Sequence, residues 1–299
     1  MQKNIIMNSY CFNNKDAFCT LQKDYRLCLQ KTDQKIHIVK EKKLWVKDDY
    51  FLDRTNLNSG HITEDSVFSQ LANIVNISFE VTDACNLKCY YCAYRDFYND
   101  YDLRKNQYMD VKKAKMLIDF IVKKSSTPAN NSPQKKIMIS FYGGEPLLNM
   151  NFIKEIVTET KLRESDRFKF KYNMTTNGIL LKKNLPFFIQ YDFDIMVSLD
   201  GSRENNAYRM LHNGKSSFDT VYGNLIYIRD NYPEFFEKNI RFNAVLHNLN
   251  NRQEVFSFFQ HEFNKLPKFS RMNDVGVNPD LKKEFEIMAT QRQIGRAHV

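Results

Sequence analysis

Cys85, Cys89 and Cys92 stand in the run Cys-Asn-Leu-Lys-Cys-Tyr-Tyr-Cys, directly after an apolar, strand-like stretch at 76–82. Three thiolates at C-x3-C-x2-C spacing on one short loop can hold three corners of a cubane iron–sulfur cluster. A structural [4Fe–4S] site takes four cysteines, and with no fourth cysteine nearby one iron is left for an exchangeable ligand. Such a cluster is a reagent rather than a brace. A zinc knuckle or a set of buried thiols is the ordinary alternative. Zinc needs a fourth Cys or His at close spacing, and the next histidine downstream, His212, comes 120 residues after Cys92.

Three further groups of chemically suggestive residues follow at intervals: Gly143-Gly144-Glu145-Pro146, Thr176-Asn177-Gly178 and Ser198-Leu199-Asp200-Gly201. Each could be only a turn, since Gly-Gly and Asn-Gly pairs serve that purpose widely. Their positions argue for more. From residue 76 onward β-type runs alternate with amphipathic helical segments, the pattern of parallel βα units. Strands are expected at 76–82, 136–142, 168–175, 193–199 and 240–246, with helices at 110–124, 152–163, 180–190, 218–231 and 254–263, and a sixth strand at 274–278. The cysteines and all three turns then fall at strand ends, the edge where loops of such folds converge on one face. The expected fold is α/β, a partial (β/α)6 TIM-type barrel.

The cysteine run, with aromatic Tyr91 just before its last cysteine, resembles the radical S-adenosylmethionine (radical SAM) superfamily. Phe-Tyr-Gly-Gly-Glu-Pro-Leu-Leu at 141–148 resembles that family's GGEPL motif, and Thr-Thr-Asn-Gly and Ser-Leu-Asp-Gly resemble further family segments. The resemblance covers roughly residues 75–265 and implies a [4Fe–4S] cluster on Cys85, Cys89 and Cys92 and S-adenosylmethionine (SAM) on the fourth iron. It also implies reductive cleavage of SAM to a hydrogen-abstracting deoxyadenosyl radical. By the same resemblance the backbone at Gly143 and Gly144, with Glu145, receives the SAM ammonium, and Asn177 lies near the ribose. Ser198 binds ribose or carboxylate, and Asp200 lines the substrate side. Tyr91 lies near the adenine, where core packing is its plain alternative. Arg209 resembles a residue that pairs with the SAM carboxylate, for which its bidentate fork suits; an ordinary surface charge is the alternative. No catalytic acid, base or hydrogen donor is identifiable.

Together these motifs look like the branch of anaerobic sulfatase-maturating enzymes and maturases of ribosomal peptides. The function this implies is modification of a peptide or protein side chain. Radical chemistry on a small molecule and a non-catalytic iron–sulfur scaffold or regulator are the alternatives. An electron donor such as flavodoxin or ferredoxin is an implied partner. Relatives in this branch continue into a cysteine-rich SPASM or twitch domain, whereas no cysteine follows Cys92 here.

Composition bounds the rest. The net charge is +9 over 299 residues, but the lysines are dispersed over helix faces, so a nucleic-acid partner is not expected. No run of eighteen apolar residues and no signal-peptide core are present, and the protein is expected in the cytoplasm, without membrane contact. Cys11, Cys19 and Cys28 form no ligand motif and read as reduced thiols. Residues 1–70 read as a small β-rich extension, either structural or peptide-recognising, with strand-like runs at 25–29, 35–40 and 44–46. Residues 71–293 are the expected core barrel, incomplete at its C-terminus. Residues 294–299, Ile-Gly-Arg-Ala-His-Val, match the translation of a common sequencing-adapter string and read as a non-native tail.

Overall fold

A computed structural model describes residues 11–14, 17–22, 25–30, 36–40, 63–99, 104–133 and 135–290, with side chains from residue 63 onward. The chain divides into two compact units, Met1–Val67 and Phe68–Val299. In the first, β1 (Cys11–Asn14), β2 (Ala17–Gln22), β3 (Tyr25–Gln30) and β4 (Ile36–Lys40) form an antiparallel sheet in chain order. The two expected runs at 25–29 and 35–40 are β3 and β4, and β1 and β2 precede them unforeseen. The run at 44–46 and the tail at 294–299 lie outside the described residues.

After α1 (Glu64–Ala72) the second unit carries six parallel strands. These are β5 (Asn76–Thr82), β6 (Lys136–Gly143), β7 (Lys169–Thr176), β8 (Asp194–Ser198), β9 (Ile240–Leu246) and β10 (Lys268–Arg271). They neighbour one another in chain order from β5 to β10, with crossover helices α2 (Val111–Ser125), α3 (Met150–Lys161), α4 (Leu181–Gln190), α5 (Phe218–Asn231), α6 (Pro233–Asn239) and α7 (Arg252–Phe263) between them. A last helix, α8 (Lys282–Ala289), follows β10. This is the partial (β/α)6 arrangement.

The sixth strand is a correction. It lies at Lys268–Arg271 rather than 274–278, because Gly276 takes a φ of 73°, which breaks an extended run.

Each helix buries one stripe. On α2 the buried positions are Ala114, Ile118, Ile121 and Ser125, at helical spacing, and Asp110 caps the first turn by accepting from Lys112 N–H at 2.8 Å. These stripes cover one sheet face, where Phe79, Phe141, Phe170, Tyr172, Val197 and Phe242 are all buried. Burying each such side chain contributes about 1.5–3 kcal/mol.

The opposite face differs. Ser78 and Glu80, Ser140 and Tyr142, Asn173 and Thr175, Ser198 and Asn243 alternate with the core residues and are half-buried or exposed. A parallel sheet covered on both sides reads as continuous apolar runs. Here the period of two survives, and it marks an open, polar face.

Candidate functional site

The cysteine loop leaves β5 at Thr82, whose Oγ1 caps Ala84 N–H at 3.1 Å. Leu87 points inward at 2% exposure while Lys88 is exposed, so the loop keeps an extended alternation. A segment from far along the chain holds it there. Lys88 N–H donates to Met210 O at 2.7 Å, Tyr90 N–H to Tyr208 O at 3.1 Å, and Leu87 pairs with Leu211. His212 Nε2 lies 2.9 Å from Cys85 O.

All three cysteines are free and half-buried. Burial pushes the Cys85 thiol up, and Cys89 up to about 12; iron binding would remove those protons, since a coordinating thiol is deprotonated outright. Donors surround the sulfurs. Leu87 N–H lies 3.4 Å and Asn177 Nδ2 3.8 Å from Cys85 Sγ, and Arg104 Nη2 lies 3.3 Å from Cys92 Sγ. Among the described residues no three His, Cys, Asp or Glu side chains converge closely enough for a single metal ion. Thiols on one loop, hydrogen-bonded at sulfur yet not gathered on one point, suit a cubane cluster better than zinc. Their donor set therefore fits the group that the spacing implies.

The turn after β6 packs against this loop. Gly143 has a φ of +130°, and a Cβ there would meet Thr82 O at 2.2 Å; one on Gly144 would meet Ala84 O at 2.2 Å and Asp83 O at 2.5 Å. Gly144 N–H donates to Thr82 O and Glu145 N–H to Ala84 O, both at 2.8 Å. The two glycines thus admit the cysteine loop's backbone, a role the sequence reading had given to a ligand. Gly144→Ala is expected to cost about 1–3 kcal/mol or more through backbone overlap, read as a lower melting temperature, while alanine at Gly223, with open space around it and no positive φ, should cost less.

Glu145 is fully buried, not open to an ammonium as expected. Its Oε1 accepts from Thr176 Oγ1 at 2.7 Å and Leu147 N–H at 3.1 Å, and its Oε2 from Asn177 N–H at 2.8 Å. Burial raises its pKa to about 7 against these lowering bonds. The carboxyl joins the β6 and β7 loops. Asn177, in turn, donates from Nδ2 to Asn86 Oδ1 at 2.7 Å and so reaches the cysteine loop.

At the end of β8 a second network forms. Asp200 has no exposed surface, so it does not line the substrate side. Its Oδ1 accepts from Arg209 Nη2 at 3.0 Å and Val245 N–H at 2.9 Å, and its Oδ2 from Tyr91 Oη. Arg209, 7% exposed, also places Nε 3.0 Å from Oδ2 and its guanidinium 5.4 Å from the Tyr91 ring centre. It is no surface charge, and its charge is matched by Asp200. Tyr91 stacks on His247 at 5.9 Å and so faces protein on that side. Ser198, half-buried, makes no side-chain hydrogen bond with other described residues.

Sequence reasoning missed four contributors: His247, Asn250, Tyr208 and Arg104. His247 is wholly buried, shifted down chiefly by desolvation, and follows β9 immediately. Asn250 Nδ2 donates to Asp200 O at 3.2 Å and Val245 O at 3.0 Å. Position at a strand end was the signal available for these two.

The family model described as the Radical SAM superfamily matches residues 79–259. The radical SAM cyclopropyl synthase TigE of Paramaledivibacter caminithermalis is 27% identical over 224 residues, covering 71% of this chain and 43% of that protein. A cysteine-type anaerobic sulfatase-maturating enzyme of Clostridium novyi is 31% identical over 47% of this chain and 36% of its own. A GTP 3′,8-cyclase of Staphylococcus epidermidis is 27% identical over 74% of this chain and 60% of its own. The chain thus spans less than two thirds of each of these relatives. Among solved structures, anSMEcpe with bound AdoMet and Cp18Cys peptide shares the fold at a TM-score of 0.54 and 20% identity, over 67% of this chain and 51% of that one.

Proposed function

The chain belongs to the radical SAM superfamily, and from that premise we propose that it serves an enzyme that abstracts hydrogen from a side chain of a peptide or protein. Its cofactors are a [4Fe–4S] cluster and SAM, which together supply a hydrogen-abstracting radical. Cys85, Cys89 and Cys92 ligate the cluster. The Gly143–Gly144 backbone, Asn177 and Ser198 hold SAM, with Tyr91 beside its adenine. Glu145, Asp200 and Arg209 act behind them, holding the loops in register.

One observation favours a peptide. The cations of the open sheet face, such as Lys171 and Arg241, stand nearer the strand starts, Lys171 paired with Asp192, while from mid-strand to the C-terminal ends the face offers hydroxyls, amides and a carboxylate from Ser78, Glu80, Ser140, Tyr142, Asn173, Thr175, Ser198 and Asn243. Peptide amides and side chains are met by such groups. A nucleoside triphosphate calls for convergent arginine and lysine. Likeness to a GTP 3′,8-cyclase keeps a small-molecule substrate as the second reading. An electron donor of the flavodoxin or ferredoxin type completes the system. Among the described residues no helix is long and apolar enough to cross a membrane.

The test is anaerobic reconstitution with iron and sulfide, EPR of the reduced protein with and without SAM, and an assay for 5′-deoxyadenosine. A SAM-shifted signal is expected, with deoxyadenosine release stimulated by a candidate peptide and not by GTP. A cluster that ignores SAM would sink the enzyme reading, and stimulation by GTP alone would move the substrate to the small-molecule class.

A further inference from the structure

Beyond Cys92 the chain returns to the foot of the cysteine loop, and Asp83 fixes it there. Asp83 Oδ2 accepts from Lys105 N–H and Oδ1 from Gln107 N–H, both at 2.6 Å, while Met109 N–H donates to Val81 O at 3.0 Å. This tether presents Arg104 to the site. Its Nη2 lies 3.3 Å from Cys92 Sγ, and its guanidinium sits 4.6 Å from the centre of the Tyr94 ring. Tyr94 is itself held, donating from Oη to Glu80 Oε1 at 2.7 Å. Arg104 Nε is shut from solvent and has no hydrogen-bond partner, so the guanidinium keeps donor capacity beyond the Cys92 sulfur.

The charge balance is uneven. The Arg209 guanidinium is paired with Asp200. Among the described residues no carboxylate lies within ion-pairing distance of Arg104. Among the described residues Arg104 is therefore a cation beside the sulfurs without a carboxylate partner.

A [4Fe–4S] core on three thiolates gains one negative charge when it takes one electron from an external low-potential donor, with no bond made or broken. Hydrogen bonds to the sulfurs and nearby charge set the potential of that step. We propose that Arg104 is a positioning residue for the cluster, which raises its reduction potential by donating to Cys92 and leaving a positive charge beside the thiolates. The proposal rests on the cluster assignment above but not on SAM or on the substrate.

The experiment compares wild-type protein with R104Q and R104K after anaerobic reconstitution. Iron and sulfide per chain are measured first, then the cluster's midpoint potential without SAM by EPR-monitored titration. R104Q should load as wild type does, yet show roughly a tenfold lower reduced-to-oxidised ratio at a fixed potential, a shift of about 59 mV to the negative for one electron. R104K, which keeps charge but loses the fork, should fall between. A fully loaded R104Q with the wild-type midpoint would overturn the proposal. If R104Q holds no cluster, R104K decides: a negative shift supports tuning and an unchanged midpoint overturns it. Cluster loss from both would overturn it too, assigning Arg104 to loop structure. Wild-type protein whose cluster forms but ignores SAM would sink the functional reading alone, whereas wild-type protein with no cluster would sink both.

Discussion

Replacing Cys89 with alanine should leave the protein folded, without a [4Fe–4S] cluster, and with 5′-deoxyadenosine formation at background. The reason is a division of labour within the loop. Its shape is held by backbone bonds, Lys88 N–H to Met210 O and Tyr90 N–H to Tyr208 O, and by the buried Leu87, none of which needs the thiol. The cluster depends on the sulfur, because two remaining thiolates leave two irons without protein ligands. The measurement is iron and acid-labile sulfide per chain beside a thermal melt. Cys28→Ala serves as the control and should load fully, since Cys28 belongs to no ligand spacing. A cluster retained by the Cys89 variant, or lost from the Cys28 variant, would overturn the ligand assignment.

The second large effect is expected at Asp200→Ala. The substitution strands the buried Arg209 guanidinium and removes the acceptor of Val245 N–H and Tyr91 Oη. Removing one partner of a buried ion pair costs about 3–5 kcal/mol, which for a unit of this size lowers the melting temperature by on the order of 10 °C. Asp200→Ala combined with Arg209→Met removes both charges and should recover a substantial part of that loss. Residues in direct contact couple in this way. Thermal melts of the two single variants and the double variant complete the cycle; strict additivity would show that the pair carries no coupling, contrary to its geometry. Tyr91 sits between Cys89 and Cys92, so the Asp200 variant should also load iron less completely.

Much of this architecture was legible because the signals were local. The period of two in β5 to β9 and the helical stripe on α2 follow from burial, and β9 and α5 lie where their patterns place them. The cysteines and the glycine pair stood out for the same reason, as short spacings, although the packing of the glycines against the cysteine loop's backbone did not show in the sequence. The carboxylates were not. Glu145 and Asp200 stand where ligand-binding acids would stand, and sequence has no sign for whether a carboxylate faces a cofactor or a neighbouring backbone N–H. Three N–H and O–H donors around Glu145 and a guanidinium against Asp200 come from loops that only the folded chain brings near. Arg104 was hidden similarly, because Asp83 directs it and nothing in its own surroundings marks it. The sixth strand was misplaced for a simpler reason. Lys-Phe-Ser-Arg is short and polar at a sheet edge, while Val-Gly-Val-Asn looks more extended than Gly276 lets it be.

The pairing of the cysteine loop with Tyr208–Leu211 also sets an order of events in the cell. The thiols leave the ribosome more than a hundred residues before the segment that braces them, an interval of roughly 5–25 s at ordinary rates of synthesis. Throughout that time the nascent loop has no fixed shape and its sulfurs are open to oxidation or to stray metal. Iron–sulfur delivery must then follow closure of the sheet through β8 and the segment beyond it, and a stalled or clipped chain ending before residue 208 would present three cysteines with no frame to receive a cluster.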